Sequence, residues 1–160
     1  MKAIYAGSFD PFTYGHLDVI KAASQIFDHV VVACAINSKK KSRFDREKMR
    51  CAIEDCLHRN GIANTTVIIS NNLISEVAAN YKAEFLVRGL RNTMDFMYEE
   101  EIAKLNHRIN PSLRTIYIRA IDETLSSSAV KELLDYGEDV SEFVPDEVLE
   151  IIENVCNHIC

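Results

Sequence analysis

A chain of 160 residues with 48% hydrophobic content suffices for one domain built on one core, and its apolar runs fall short of the roughly 20 residues that span a membrane. The formal net charge of −6 argues against a sequence-blind nucleic-acid binder, which would be basic overall. Five cysteines form no CxxC pair and leave one odd, so reduced thiols in a cytoplasmic protein are expected rather than a disulfide framework or a metal site, and no leader segment is read at the N-terminus.

Residues 2–6 read as a buried strand that stops at Gly7. A polar loop follows, carrying Ser8, Asp10, Pro11, Thr13 and Gly15, and helical spacing runs over 16–27 through Leu17, Ile20, Ala23 and Phe27. "HVVVACAI", 29–36, is a second strand. Residues 45–60 suit a helix capped by Asp45 and ended by Gly61. "TTVIIS", 65–70, is a third strand, followed by a short helix from Leu73 to Tyr81. "AEFLVRGL", 83–90, is a fourth strand. A helix over 93–109 presents Met94, Met97, Ile102, Leu105 and Ile109, and Asn110-Pro111 halts it. "RTIYIRA", 114–120, is the fifth strand. Helices are expected from about 127 to 136 and after Pro145.

Strands alternate with helices, and the strands are continuous apolar runs. That pattern predicts a doubly wound α/β domain over 1–160, with a five-stranded parallel sheet covered on both faces. Ligands in such folds bind beyond the C-terminal ends of the strands, at the topological switch point. Every predicted strand end carries glycine, amide, hydroxyl or charge: Gly7 to Asp10, Asn37 to Lys41, Asn71-Asn72, Arg88 to Arg91, and Asp122 to Ser128.

The first loop is neither a GxGxxG dinucleotide fingerprint nor a P-loop. Gly7 lets backbone approach a ligand closely. His16 at a helix N-terminus favours a neutral, hydrogen-bond-donating imidazole beside an anion. The lysine run is either a solvated loop or a phosphate contact. Arg88 ends a buried strand, where its guanidinium needs either a phosphate or a buried salt bridge. Ser126, Ser127 and Ser128 open a helix; one suffices as cap, leaving hydroxyls and N–H groups for a phosphate. Glu99-Glu100-Glu101 reads as a solvated helix face, with room for one ribose or amine contact. No nucleophile–base pair or metal cage is evident. Chemistry by positioning and charge stabilisation, as in transfer between phosphate groups, fits that inventory.

"GSFDPFTYGH" resembles the (T/S)FDPxTxGH loop of nucleotidyltransferases with the TxGH or HxGH signature, and "VRGLR", "DFMYE" and "SSSAVKEL" resemble three further blocks of the bacterial phosphopantetheine adenylyltransferase family. The similarity runs from Lys2 to about Pro145. It implies a Rossmann-like nucleotidyltransferase fold and adenylyl transfer from ATP to 4'-phosphopantetheine, with Mg2+ as cofactor. The partners it implies are coenzyme A as feedback ligand and a homohexamer built as a dimer of trimers, with no nucleic acid and no membrane. By residue, the resemblance implies His16, Lys40, Arg91 and Ser127 as catalytic groups, with Lys39 and Lys41 competing with Lys40 for the register. It places ATP against Ser8, Phe9, His16, Gly89, Leu90, Arg91, Glu99, Thr124, Leu125, Ser126, Ser127 and Ser128. The acceptor falls to Ser8, Lys40, Ile74 and Arg88. Three departures are visible: Ala6 stands where proline is frequent, Ser8 stands where Thr is commonest, and the "DETL" segment before the serines is shorter than the family's and lacks its aromatic residue. A sister transferase acting on another phosphate, or a nucleotide-sensing module, are the alternative readings.

Overall fold

A computed structural model describes residues 1–36, 41–119 and 126–156. The strands are β1 (Lys2–Gly7), β2 (His29–Ala35), β3 (Thr65–Ser70), β4 (Phe85–Leu90) and β5 (Arg114–Arg119). The helices are α1 (Tyr14–Ile26), α2 (Arg46–Arg59), α3 (Ile74–Tyr81), α4 (Thr93–Ile109), α5 (Ser127–Asp135) and α6 (Asp146–Cys156). All strand pairs are parallel, in the order β3-β2-β1-β4-β5. The chain winds from β1 through β2 to β3, then returns to lay β4 on the other side of β1, so the switch point lies between β1 and β4.

The central strands bury both faces, which is why they read as unbroken apolar runs. Ala3 and Tyr5 of β1, with Val30, Val32 and Cys34 of β2, join the core formed with α1, α2, α5 and α6. Ile4, Ala6, Val31 and Ala33 point the other way, into a smaller core with Val77 and Ala78 of α3. Full burial of a Val, Leu or Ile contributes about 1.5–3 kcal/mol, so these alternating sets fix the register of the middle of the sheet.

Three expectations shift. Helix α1 starts at Tyr14 because Thr13 caps it, and β4 starts at Phe85. The apolar stripe of α4, whose direction the periodicity left open, points away from the core: Met94 is 76% exposed, Met97 63% and Leu105 58%. The acidic run expected to be solvated divides, because Glu99 is buried and Glu100 accepts from the Tyr117 hydroxyl at 2.6 Å.

Candidate active site

The loop after β1 is shaped by a close approach. A Cβ on Gly7 would lie 2.8 Å from the Phe9 ring, so only glycine fits there. Phe9 itself takes φ +44°, a left-handed conformation that strains a bulky residue. In return its buried ring packs edge-on to His16 at 5.1 Å between centroids, while Phe12 stacks on the imidazole at 5.5 Å. Thr13 and His16 cap α1 reciprocally. The His16 N–H donates to Thr13 Oγ1 at 3.4 Å, and the Thr13 N–H donates to His16 Nδ1 at 3.0 Å.

That second bond decides the tautomer. Nδ1 accepts, so the neutral ring carries its hydrogen on Nε2. The ring is half-buried by area and lines a cavity, yet protein encloses it closely. Burial, helped by the positive charge of Arg91, pushes its pKa from the usual 6.5 down to about 4. At neutral pH His16 is therefore an uncharged donor.

The cavity holds about 410 Å³ at the β1–β4 switch point and brings together Ser8, His16, Arg88, Gly89, Arg91, Glu99 and the three serines. Gly89 leaves room for helix α1: a Cβ there would meet Val19 Cγ2 at 3.0 Å. Arg88 donates to Glu99 through Nε at 2.6 Å and Nη2 at 2.5 Å, and to the Ala6 carbonyl through Nη1 at 2.8 Å. The salt-bridge remedy for a guanidinium at a strand end is therefore in place, and Arg88 still lines the cavity. Arg91 pairs with Asp95 at 2.9 Å. Ser126 caps α5 by accepting from the Ala129 N–H at 3.0 Å. Ser127 spends its hydroxyl on the Pro11 carbonyl at 2.7 Å, so its backbone N–H in the first turn is the group left for an anion.

A second cavity of about 450 Å³ shares Ser8, Ser127 and Ser128 with the first and is edged by Lys41, Arg46 and Lys131. Asp10 sits at this edge, 8% exposed. Burial alone would raise its pKa; the N–H groups of Arg43 and Phe44, the Ser42 hydroxyl and the Lys131 ammonium together hold it below the ordinary carboxylate range.

Several residues named for the site stand apart from the main cavity. Phe9 supports His16 from below, Leu90 ends β4 without lining the cavity, and Ile74 packs at the start of α3 against the smaller core. Lys40, Thr124 and Leu125 lie outside the described residues. The sequence reading gave no site role to Asp10, Thr13, Ser42, Arg46 or Lys131. Thr13 carried a signal in TxGH spacing, since positions Ncap and N3 face each other. Asp10 stood out in the same loop, but its partners lie 32 to 121 residues away, so its contacts were not legible.

Among the described residues no helix is long and apolar enough to cross a membrane, and no group of three or more His, Cys, Asp or Glu residues is placed to hold a metal. The cytidylyltransferase-like family model matches residues 4–133. The phosphopantetheine adenylyltransferase of Oenococcus oeni is 37% identical over 155 residues, covering 96% of this chain and 97% of that protein. That of Lachnoclostridium phytofermentans is 40% identical over 156 residues, covering 96% and 94%. A solved structure from Vibrio parahaemolyticus, described as a nicotinate-nucleotide adenylyltransferase, superposes with a TM-score of 0.70 at 21% identity, over 96% of this chain and 91% of that one. With the (T/S)FDPxTxGH loop and the strand-end cavity in place, the chain belongs to the cytidylyltransferase-like family and, within it, to the phosphopantetheine adenylyltransferases.

Proposed function

We propose that the protein transfers the adenylyl group of ATP to 4'-phosphopantetheine, forming dephospho-coenzyme A and pyrophosphate in coenzyme A biosynthesis. The observation that carries this is the junction of two basic cavities at Ser8, Ser127 and Ser128, with a neutral His16 at one side. Two phosphate-bearing substrates can meet at such a wall. The nucleotide's phosphates occupy the His16–Arg91 side, and the acceptor's phosphate the Lys41–Lys131 side.

An oxygen of the acceptor phosphate attacks the α-phosphorus. The bond from that phosphorus to the α–β bridging oxygen breaks, and pyrophosphate leaves with the electron pair. The nucleophile is already ionised, so no base is required. The protein's part is to orient the groups and neutralise charge on the equatorial oxygens. His16 Nε2–H, the Arg91 guanidinium and the Ser127 backbone N–H are the donors, with Lys40 as a fourth. Losing one such donor typically costs on the order of 3 kcal/mol in the barrier.

Magnesium enters on the nucleotide's phosphates, as part of the substrate. The carboxylates at the two cavities are already engaged, Glu99 by Arg88 and Asp10 by Ser42, Arg43, Phe44 and Lys131, which leaves phosphate oxygens and water as the ion's ligands. Coenzyme A is the feedback ligand, since it carries the product's pantetheine arm. The working form is a cytoplasmic homohexamer, a dimer of trimers.

Pyrophosphate release tests the reading. Purified protein with ATP, magnesium and 4'-phosphopantetheine is expected to release it, and nicotinate mononucleotide or glycerol phosphate in place of the acceptor is not. Release with one of those instead would keep the chemistry and overturn the acceptor. ATP binding without release for any acceptor would favour a sensing module.

A further inference from the structure

Asp10 is a buried carboxylate that the reaction above does not use. Its Oδ1 accepts from the Ser42 hydroxyl at 3.0 Å, the Arg43 N–H at 3.0 Å and the Phe44 N–H at 3.1 Å; its Oδ2 faces the Lys131 ammonium at 3.3 Å. These partners hold the carboxyl below the ordinary carboxylate range, which makes it a poor base, and spend most of its accepting capacity inside the protein. Its partners come from two other strand-end segments, residues 42–44 after β2 and helix α5 after β5. The same segments are pinned again nearby. Arg43 Nη1 reaches the Lys131 carbonyl at 3.3 Å and Asp135 at 2.5 Å, and Ser127 Oγ reaches Pro11 O at 2.7 Å.

We propose that Asp10 is a positioning residue for the acceptor's phosphate: it draws residues 42–44 and the start of α5 onto the β1–α1 loop and holds the Lys131 ammonium at the second cavity. A simple loop anchor would need only the N–H and hydroxyl bonds, which a neutral acceptor also makes. The negative charge matters for Lys131, whose ammonium has three donors and spends one on Asp10 at long range. The remaining donors face the cavity shared with Ser8, Ser127 and Ser128. Asp10 therefore fixes a phosphate-binding charge at the wall where the two substrates meet. This inference rests on the function proposed above.

The test is steady-state kinetics of Asp10→Asn, Lys131→Met and the double variant in pyrophosphate release, with melting temperatures alongside. Each single change is expected to raise KM for 4'-phosphopantetheine about tenfold or more, while KM for ATP stays within about threefold. The double variant is expected to do no worse than the more damaging single change, because each substitution removes the other's partner. Lys131 is over a third exposed, so Lys131→Met carries the test if Asp10→Asn does not fold. Equal changes in both KM values, a melting temperature lowered with both KM values unchanged, or additive effects in the double variant would overturn the proposal. A wild-type protein active only on a different phosphorylated acceptor would overturn the functional reading instead, and the same split measured with that acceptor would decide the role of Asp10.

Discussion

The imidazole of His16 is held by Thr13 at Nδ1, flanked by Phe9 and Phe12, and kept neutral by burial and by Arg91. A depressed pKa has a consequence for stability. Above about pH 6.5 the ring is neutral folded and unfolded, and its titration contributes nothing. As pH falls from about 6.5 towards about 4, the unfolded chain takes up a proton that the folded ring refuses, so stability is lost across that window. The full loss is about 3 kcal/mol. Urea unfolding of wild type and His16→Gln between pH 7.5 and 4 is expected to show the wild type losing about that much relative to the variant. Parallel curves would mean the ring is not shielded as described. The sequence announced His16 by its place at a helix start. The TxGH spacing set Thr13 opposite it but not the geometry of their bond, which depends on the loop entering α1 with extended backbone at the cap, φ −128° and ψ 166°.

Glu99 on α4 and Arg88 on β4 lock a helix to the strand beside the switch point. The guanidinium is 24% exposed and the carboxylate 10%. Removing one partner leaves the other's charge in a partly dry site, which costs far more than a surface pair would. Glu99→Gln is expected to lower the unfolding free energy by roughly 2–4 kcal/mol, measurable by denaturant titration; a loss under about 0.5 kcal/mol would place the pair among solvated ones. Here the sequence misled in a specific way. Three consecutive glutamates read as a solvated face with room for one ribose or amine contact, but successive helical residues point about 100° apart, so Glu99 turned inward and met an arginine eleven residues upstream. Elements built on unbroken apolar runs, β1 and β2 above all, were legible because their burial on both faces leaves no other pattern.

At the scale of the molecule, α4 exposes Met94, Met97, Tyr98 and Leu105 beside the edge strand β5. Periodicity located this stripe but could not say whether it met its own core or another chain. Contiguous apolar surface of this kind marks an interaction site, and the proposed homohexamer would cover it. Light scattering is expected to give a hexamer for wild type and smaller species for Met97→Glu with Leu105→Glu; a wild-type monomer at micromolar concentration would refute the assembly.

The mechanism proposed for the molecule uses positioning and charge stabilisation, with no covalent intermediate. Ser127 Oγ is tied to Pro11, and His16 presents a hydrogen rather than a lone pair at Nε2. Burial lifts the Cys34 thiol to about 12. Each arrangement disfavours a nucleophilic role, as the proposed direct displacement requires. The decisive measurement is the stereochemistry at the transferred phosphorus, using ATP made chiral at the α-phosphate with oxygen isotopes. A single direct displacement gives inversion in dephospho-coenzyme A. Retention would require a covalent adenylyl-protein and would contradict the account.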